Sequence, residues 1–194
     1  MANENAYYKE WTPYGKSMMT MLIENGGDMD ATAKAWSEMS SKSISARDEL
    51  VKKYAWSIPN NAVLDAIIAF ADGKTIIDIG AGSGYWSKLM AEKGGKVIGI
   101  DNKSETYTNY YFDVIERDGV DYLNSEPVSK DACLFVSWTR KPFWRHFHGK
   151  KLIVVGETMT LDHDPTKDGW RRERDMDIPQ WPFMHDHAAF YTRQ

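Results

Sequence analysis

The chain has 194 residues, a formal net charge of −4 and a pI near 5.7, with 42% hydrophobic and 27% charged residues. That balance suits one globular domain with a substantial core. It excludes a global basic field that would draw the protein to nucleic acid or an anionic membrane, so nucleic acid is an unlikely partner. The single cysteine, Cys133, excludes an internal disulfide framework; it lies in an apolar run and reads as core packing in a reducing compartment. The stretch MANENAYYKE has no apolar signal region and no window approaches a membrane span, so a cytoplasmic location without a membrane partner is expected. Eight Trp and ten Tyr are many for this size. They suggest an aromatic-lined pocket or cap, or else large core residues.

Residues 1–57 carry helical patterns and no strand pattern. They read as an N-terminal helical extension or cap packed on a core of residues 58–194, in a single compact domain. Met18, Met19, Leu22 and Ile23 form an apolar face, and Asn25-Gly26-Gly27-Asp28 stops that helix. Asp30 is placed to cap a second helix through Trp36 and Met39. Ser43 or Ser45 is placed to cap a third, with Leu50, Val51 and Tyr54 on one face. These apolar faces are expected to pack against the sheet. Pro59 disfavours helix at Ile58, so the chain turns there, and Asn60 or Asn61 caps a helix over Ala62–Phe70. Trp56, in that turn, reads either as a cover over a ligand or as a hydrophobic staple.

Thr75–Ile79 is a short β-branched apolar run, too short for a helix and suited to a buried parallel strand. Gly80, Gly82 and Gly84 follow at every second position. Helical spacing then appears at Trp86, Leu89 and Met90, and a second strand, Lys96–Ile100, ends in Asp101. Glycines at a strand-to-helix turn let a backbone approach a nucleotide-type ligand. The helix N-terminus offers free N–H groups, and an acid on the next strand accepts ribose hydroxyls. A dinucleotide fingerprint requires G-x-G-x-x-G/A, and Tyr85 and Ser87 stand where its last glycine belongs, which argues against a nicotinamide oxidoreductase.

Asp78-Ile79-Gly80-Ala81-Gly82-Ser83-Gly84 with Asp101 resembles motif I of the class I S-adenosylmethionine (SAM)-dependent methyltransferases. The resemblance implies an α/β, Rossmann-like fold: a seven-stranded, mostly parallel sheet flanked by helices, here with an N-terminal helical cap. It implies SAM as cofactor and S-adenosylhomocysteine as product. Asp78, Gly80, Ala81, Gly82, Gly84 and Tyr85 would surround the methionine part, and Asp101 with Asn102 would hold the ribose. The W-x-I-P wording at Trp56 to Pro59 and Gly84-Tyr85-Trp86 resemble a small, functionally uncharacterised branch of that superfamily.

After Asp101 a polar helix is expected over Lys103–Tyr111, then a third strand near Phe112–Ile115. In the family pattern an acid just after this strand accepts from the adenine amino group. Asp118, with Gly119, takes that place, and Asp113 is the alternative if the strand is shifted. Ala132–Trp138 is a fourth strand, ending in Ser137-Trp138-Thr139-Arg140-Lys141-Pro142 where the family carries reacting groups. It lacks the Asn/Asp-Pro-Pro-Tyr/Phe of enzymes that methylate the amino groups of bases. Ser137 borders both cofactor and acceptor, and Trp138 offers an aromatic wall to a planar or cationic substrate. Lys151–Gly156 is a fifth strand, and Glu157 at its end is placed as a general base in the crevice. The connections Asp121–Asp131 and Pro142–Gly149 leave room only for short helices.

The tail offers a closing β-hairpin with one antiparallel strand. His185 and His187, and His146 and His148, would each set two imidazoles on one side of a strand. With no cysteine cluster and no fixed spacing of histidine and acid, no metal is expected. The reading is a SAM-dependent methyltransferase for a small-molecule or protein acceptor, with Glu157, Ser137 and Trp138 as catalytic candidates. The alternative is a weakly active or inactive SAM-binding protein of the same fold that works through partners.

Overall fold

In a computed structural model, residues 4–125, 130–157 and 163–194 are described. Among them seven strands form one sheet: β1 (Thr75–Ile79), β2 (Lys96–Asp101), β3 (Val114–Glu116), β4 (Cys133–Ser137), β5 (Lys151–Gly156), β6 (Arg171–Asp177) and β7 (His187–Thr192). Their order is β3-β2-β1-β4-β5-β7-β6. Neighbours from β3 to β5 pair in parallel, and β7 runs antiparallel to both β5 and β6.

The two-residue period of a strand explains the two cores. Ile76, Phe135, Ile153, Val155 and Phe190 face one side, under α4 (Asn61–Ala71) and α5 (Tyr85–Glu92). Ile77, Ile79, Leu134, Val136, Leu152 and Val154 face the other. There the connections are short, as expected: α6 spans only Gly119–Ser125, and a single 3-10 turn spans Phe143–Arg145. Residues 126–129 of the first connection lie outside the described residues. Trp144, Phe147 and Trp170 fill the space that longer helices would occupy. Most of the abundant aromatic residues are therefore core, and Trp86, Trp144, Trp170 and Trp181 are all buried.

The N-terminal helices are α1 (Ala6–Trp11), α2 (Met18–Glu24) and α3 (Met29–Lys53). Tyr7 and Trp11 of α1 join the same core as β1 and β5. Trp181 Nε1 donates to Tyr7 Oη at 3.3 Å, and Asn5 Nδ2 donates to the Pro59 carbonyl at 2.8 Å.

Three expectations are corrected here. The helix over 29–53 is continuous, capped by Asp28 and not by Asp30. Ser43, expected to start a new helix, instead donates to the Ser40 carbonyl within α3. Met18, Met19 and Ile23 of α2 are exposed, and only Met21 is buried. The segment after Asp101 forms no helix, and β3 begins at Val114. Its backbone is tied elsewhere: Thr108 N donates to the Lys52 carbonyl and Tyr111 N to the Ser83 carbonyl, each at 2.8 Å. Other boundaries match closely. Asn60 Oδ1 accepts from Val63 N and caps α4, and β1 and β5 have the expected limits.

Candidate functional site

The sheet order reverses between β1 and β4, and the loops leaving their carboxyl ends diverge there. In such sheets this is where ligands bind. A cavity of about 190 Å³ opens at this point, and a recess of about 20 Å³ lies beside it.

The loop Gly80–Gly84 gives Gly80 to the cavity and Gly80, Ala81 and Ser83 to the recess. Gly80, Gly82 and Gly84 all take left-handed backbone, with φ of 78°, 55° and 75°. A side chain would also crowd its neighbours. A Cβ on Gly82 would meet Tyr107 Oη at 2.6 Å, and one on Gly80 would meet Thr139 Cγ2 at 2.8 Å. The loop is stitched to the end of β2. Gly80 N and Ala81 N both donate to the Ile100 carbonyl, at 2.8 and 3.1 Å. Asp101 completes the seam, accepting from Gly82 N on Oδ2 at 2.9 Å and from Lys103 N on Oδ1 at 2.6 Å. Each oxygen keeps a second lone pair for a ligand hydroxyl. Asn102 also lines the cavity and turns the chain by accepting from Ser104 N at 3.1 Å.

Asp118 and Gly119 form the far wall. Asp118 Oδ1 accepts from Val120 N and Asp121 N, and Oδ2 faces Lys141 Nζ at 3.3 Å. These contacts hold its carboxyl below the usual range against the opposing pull of partial burial. Gly119 lies so close to Ile79 and Phe143 that a Cβ would meet them at 2.4 and 2.8 Å. The three pack into one apolar surface of the cavity beside an acid. Asp113 is exposed and not among the lining residues.

Asp78 borders the small recess and is 1% exposed. Ser87 Oγ donates to its Oδ2 at 2.6 Å. Burial, reinforced by the nearby Asp101 charge, pushes its carboxyl up to about 7. Ser137 lines both spaces, and its hydroxyl shares a hydrogen bond with Ser57 Oγ at 2.8 Å. Trp138 follows in left-handed backbone, φ 53°, unusual for a bulky residue and costing about 1–2 kcal/mol. It is held by its N–H on the Val155 carbonyl at 2.9 Å and by Nε1 on Asp186 Oδ2 at 3.2 Å. Its ring tilts against Trp56, centroids 5.9 Å apart, and Trp56 lines the cavity.

Two expected site residues lie elsewhere. Tyr85 is buried among Tyr7, Tyr54 and Tyr111, and its hydroxyl accepts from Tyr7 N at 3.1 Å, turned away from the cavity. Glu157 is buried beside Asp186 and accepts from His185 N at 3.1 Å; it lines neither the cavity nor the recess. The chain before β7 folds over the end of β5 and claims that carboxylate. The histidine pairs do not share strand faces: His146 and His148 follow the 3-10 turn, and His185 precedes β7. Among the described residues no three His, Cys, Asp or Glu side chains are grouped to hold a metal ion. Nor is any helix there long and apolar enough to cross a membrane. Tyr107, Glu105 and Asp186 escaped sequence reading because tertiary contacts alone bring them to the site.

The same architecture is found in solved structures of low sequence identity. Magnesium protoporphyrin IX methyltransferase from Synechocystis PCC 6803 with bound SAM aligns over 100% of both chains, with a TM-score of 0.53 and 12% identity. The fold is that of the class I SAM-dependent methyltransferases. The same enzyme with bound SAH aligns over 69% of this chain and 82% of that one, with a TM-score of 0.50 and 13% identity. The bifunctional kinase-methyltransferase WbdD aligns over 69% of this chain and 39% of that one, also with a TM-score of 0.50 and 13% identity. No family model matches the sequence, and no curated protein matches it.

Proposed function

We propose that the protein is a SAM-dependent methyltransferase acting on a small-molecule or protein acceptor, with S-adenosylhomocysteine as product. The observation that carries this reading is one cavity at the switch point, where a loop built on three left-handed glycines meets, through Gly80, an acid with free acceptor capacity. The residues fit the cofactor part by part. Asp101 would accept from the ribose hydroxyls, with Asn102 beside it. Ile79, Gly119 and Phe143 line the cavity as an apolar surface on which a planar adenine would lie, with Asp118 as acceptor for its amino group. Asp78, Gly80, Ala81 and Ser137 border the small recess beside the cavity, on the side where the methionine end would lie. Gly82 and Gly84 shape the loop.

When bound, SAM supplies a methyl group on an already activated sulfonium. The chain's own contribution is then mainly alignment, which accounts for much of the acceleration in such displacements. Trp138, held in a strained backbone by Asp186, and Trp56 beside it supply the aromatic surface of the cavity against which an acceptor would be held. Ser137 is the hydroxyl at the end of β4 that can orient it. Glu157 lies outside the cavity, so we assign it no role in proton removal.

Incubation with methyl-labelled SAM and fractionated cell extract tests this reading. Label should move to an acceptor fraction and fall at least tenfold with Trp138→Ala. Saturable SAM binding with no transfer in any fraction would favour a partner-binding role.

A further inference from the structure

A second cavity, about 450 Å³, lies against the first. Its volume falls in the range of small-molecule sites. It is bounded by Arg47, Val51 and Lys52 of α3 and shares Trp56, Glu105 and Tyr107 with the cavity at the sheet. The shared partition hangs on one atom. Trp56 Nε1 and Tyr107 Oη both donate to Glu105 Oε2, at 3.0 and 3.1 Å. One carboxylate therefore keeps both rings between the two spaces.

Arg47 is the unusual member. Its guanidinium lies 5.5 Å from the Trp56 ring centroid, and its Nε is buried without a hydrogen-bond acceptor. It makes no ion pair among the described residues. The acids around it do not answer it: Glu105 already serves two donors, and Asp48 is exposed. Asp186 feels the Arg47 charge, yet its own Oδ1 is buried without a partner. A guanidinium presents a planar fork of donors, and its natural complement is a carboxylate. Lys52 adds a second cation at the rim, while Val51, Trp56 and Tyr107 offer apolar surface.

We propose that this cavity is the acceptor subsite and that it takes a small aromatic molecule bearing a carboxylate. The carboxylate pairs with Arg47, the ring rests against Val51, Trp56 and Tyr107, and the partition held by Glu105 separates it from the cofactor cavity until it opens. As an acceptor subsite it rests on the methyltransferase reading; as an anion site it stands alone.

Benzoate, benzamide and benzylamine are the probes, titrated by calorimetry with and without S-adenosylhomocysteine, following the Trp56 indole N–H by NMR. Benzoate should saturate and shift that resonance, binding at least tenfold more tightly than benzamide or benzylamine, and Arg47→Gln should weaken it about tenfold or more. The wild-type comparison of the three probes holds even if the variant fails to fold. Benzylamine binding as well as benzoate, an unmoved indole resonance, or undiminished benzoate affinity in a folded Arg47→Gln would overturn the proposal. Failure of S-adenosylhomocysteine to bind would overturn the methyltransferase reading instead, and the benzoate series would still decide the anion site.

Discussion

Replacing Asp78 by Asn should make stability less dependent on pH. Asp78 is 1% exposed, and burial raises its carboxyl from 3.8 to about 7. In the unfolded chain the group ionises near its ordinary value; in the folded chain it keeps its proton until about pH 7. Folded stability is therefore full below about pH 4 and is lost as pH rises through 7. At about 1.4 kcal/mol per pH unit, that rise amounts to about 4 kcal/mol. Asn carries no charge and can still accept the Ser87 hydroxyl on its carbonyl oxygen. Its amide adds buried donors, which costs about 1–3 kcal/mol at every pH. The variant should thus be equal or weaker at pH 4.5 and stronger at pH 8, the difference changing by up to about 4 kcal/mol between them. Urea unfolding at both values measures this. A difference that stays constant with pH would refute the claim that Asp78 is held protonated by burial.

The same carboxylate should couple cofactor binding to pH. A cationic ligand group beside it favours ionisation, so SAM affinity should rise roughly five- to tenfold from pH 6 to pH 7.5 and be flat in Asp78→Asn, read by calorimetry. Gly82→Ala forces a Cβ toward Tyr107 at left-handed φ and should lower stability by about 1–2 kcal/mol, with weaker SAM binding. Asn60→Ala removes the cap of α4 and should cost about 1 kcal/mol in chemical denaturation without changing ligand affinity. Cys133 is fully buried and its thiol is pushed up to about 12 by burial, so iodoacetamide should modify it only after unfolding; rapid labelling of the native protein would contradict its placement.

What the sequence showed plainly was local. Continuous β-branched runs such as Thr75–Ile79 and Lys151–Gly156 can only be buried strands, and the spacing of Gly80, Gly82 and Gly84 specifies a loop that few other residues could build. Asn60 declared its helix because a cap acts over three residues. Other features depended on partners distant in sequence. The segment after Asp101 has helix-compatible residues, but Lys103 takes left-handed backbone, and Tyr111 stacks on Tyr54 and meets Tyr85 edge-on instead. Ser43 looked like a cap, yet a serine can close back on its own helix when tertiary packing carries the helix through. Tyr85 and Glu157 sit at the expected places along the chain, and the direction of each side chain was set by neighbours: Tyr7 for one, the backbone of His185 for the other.

The central claim is that Asp101 and the glycine loop hold SAM. Calorimetric titration of the purified protein with SAM and S-adenosylhomocysteine, alongside Asp101→Ala, tests it most directly. Saturable binding of both ligands is predicted, weakened by about ten- to a hundredfold in the variant, since each lost hydrogen bond to a carboxylate is worth about 1.5–3 kcal/mol. Absence of binding in the folded wild-type protein, or equal affinity in a folded Asp101→Ala, would contradict it.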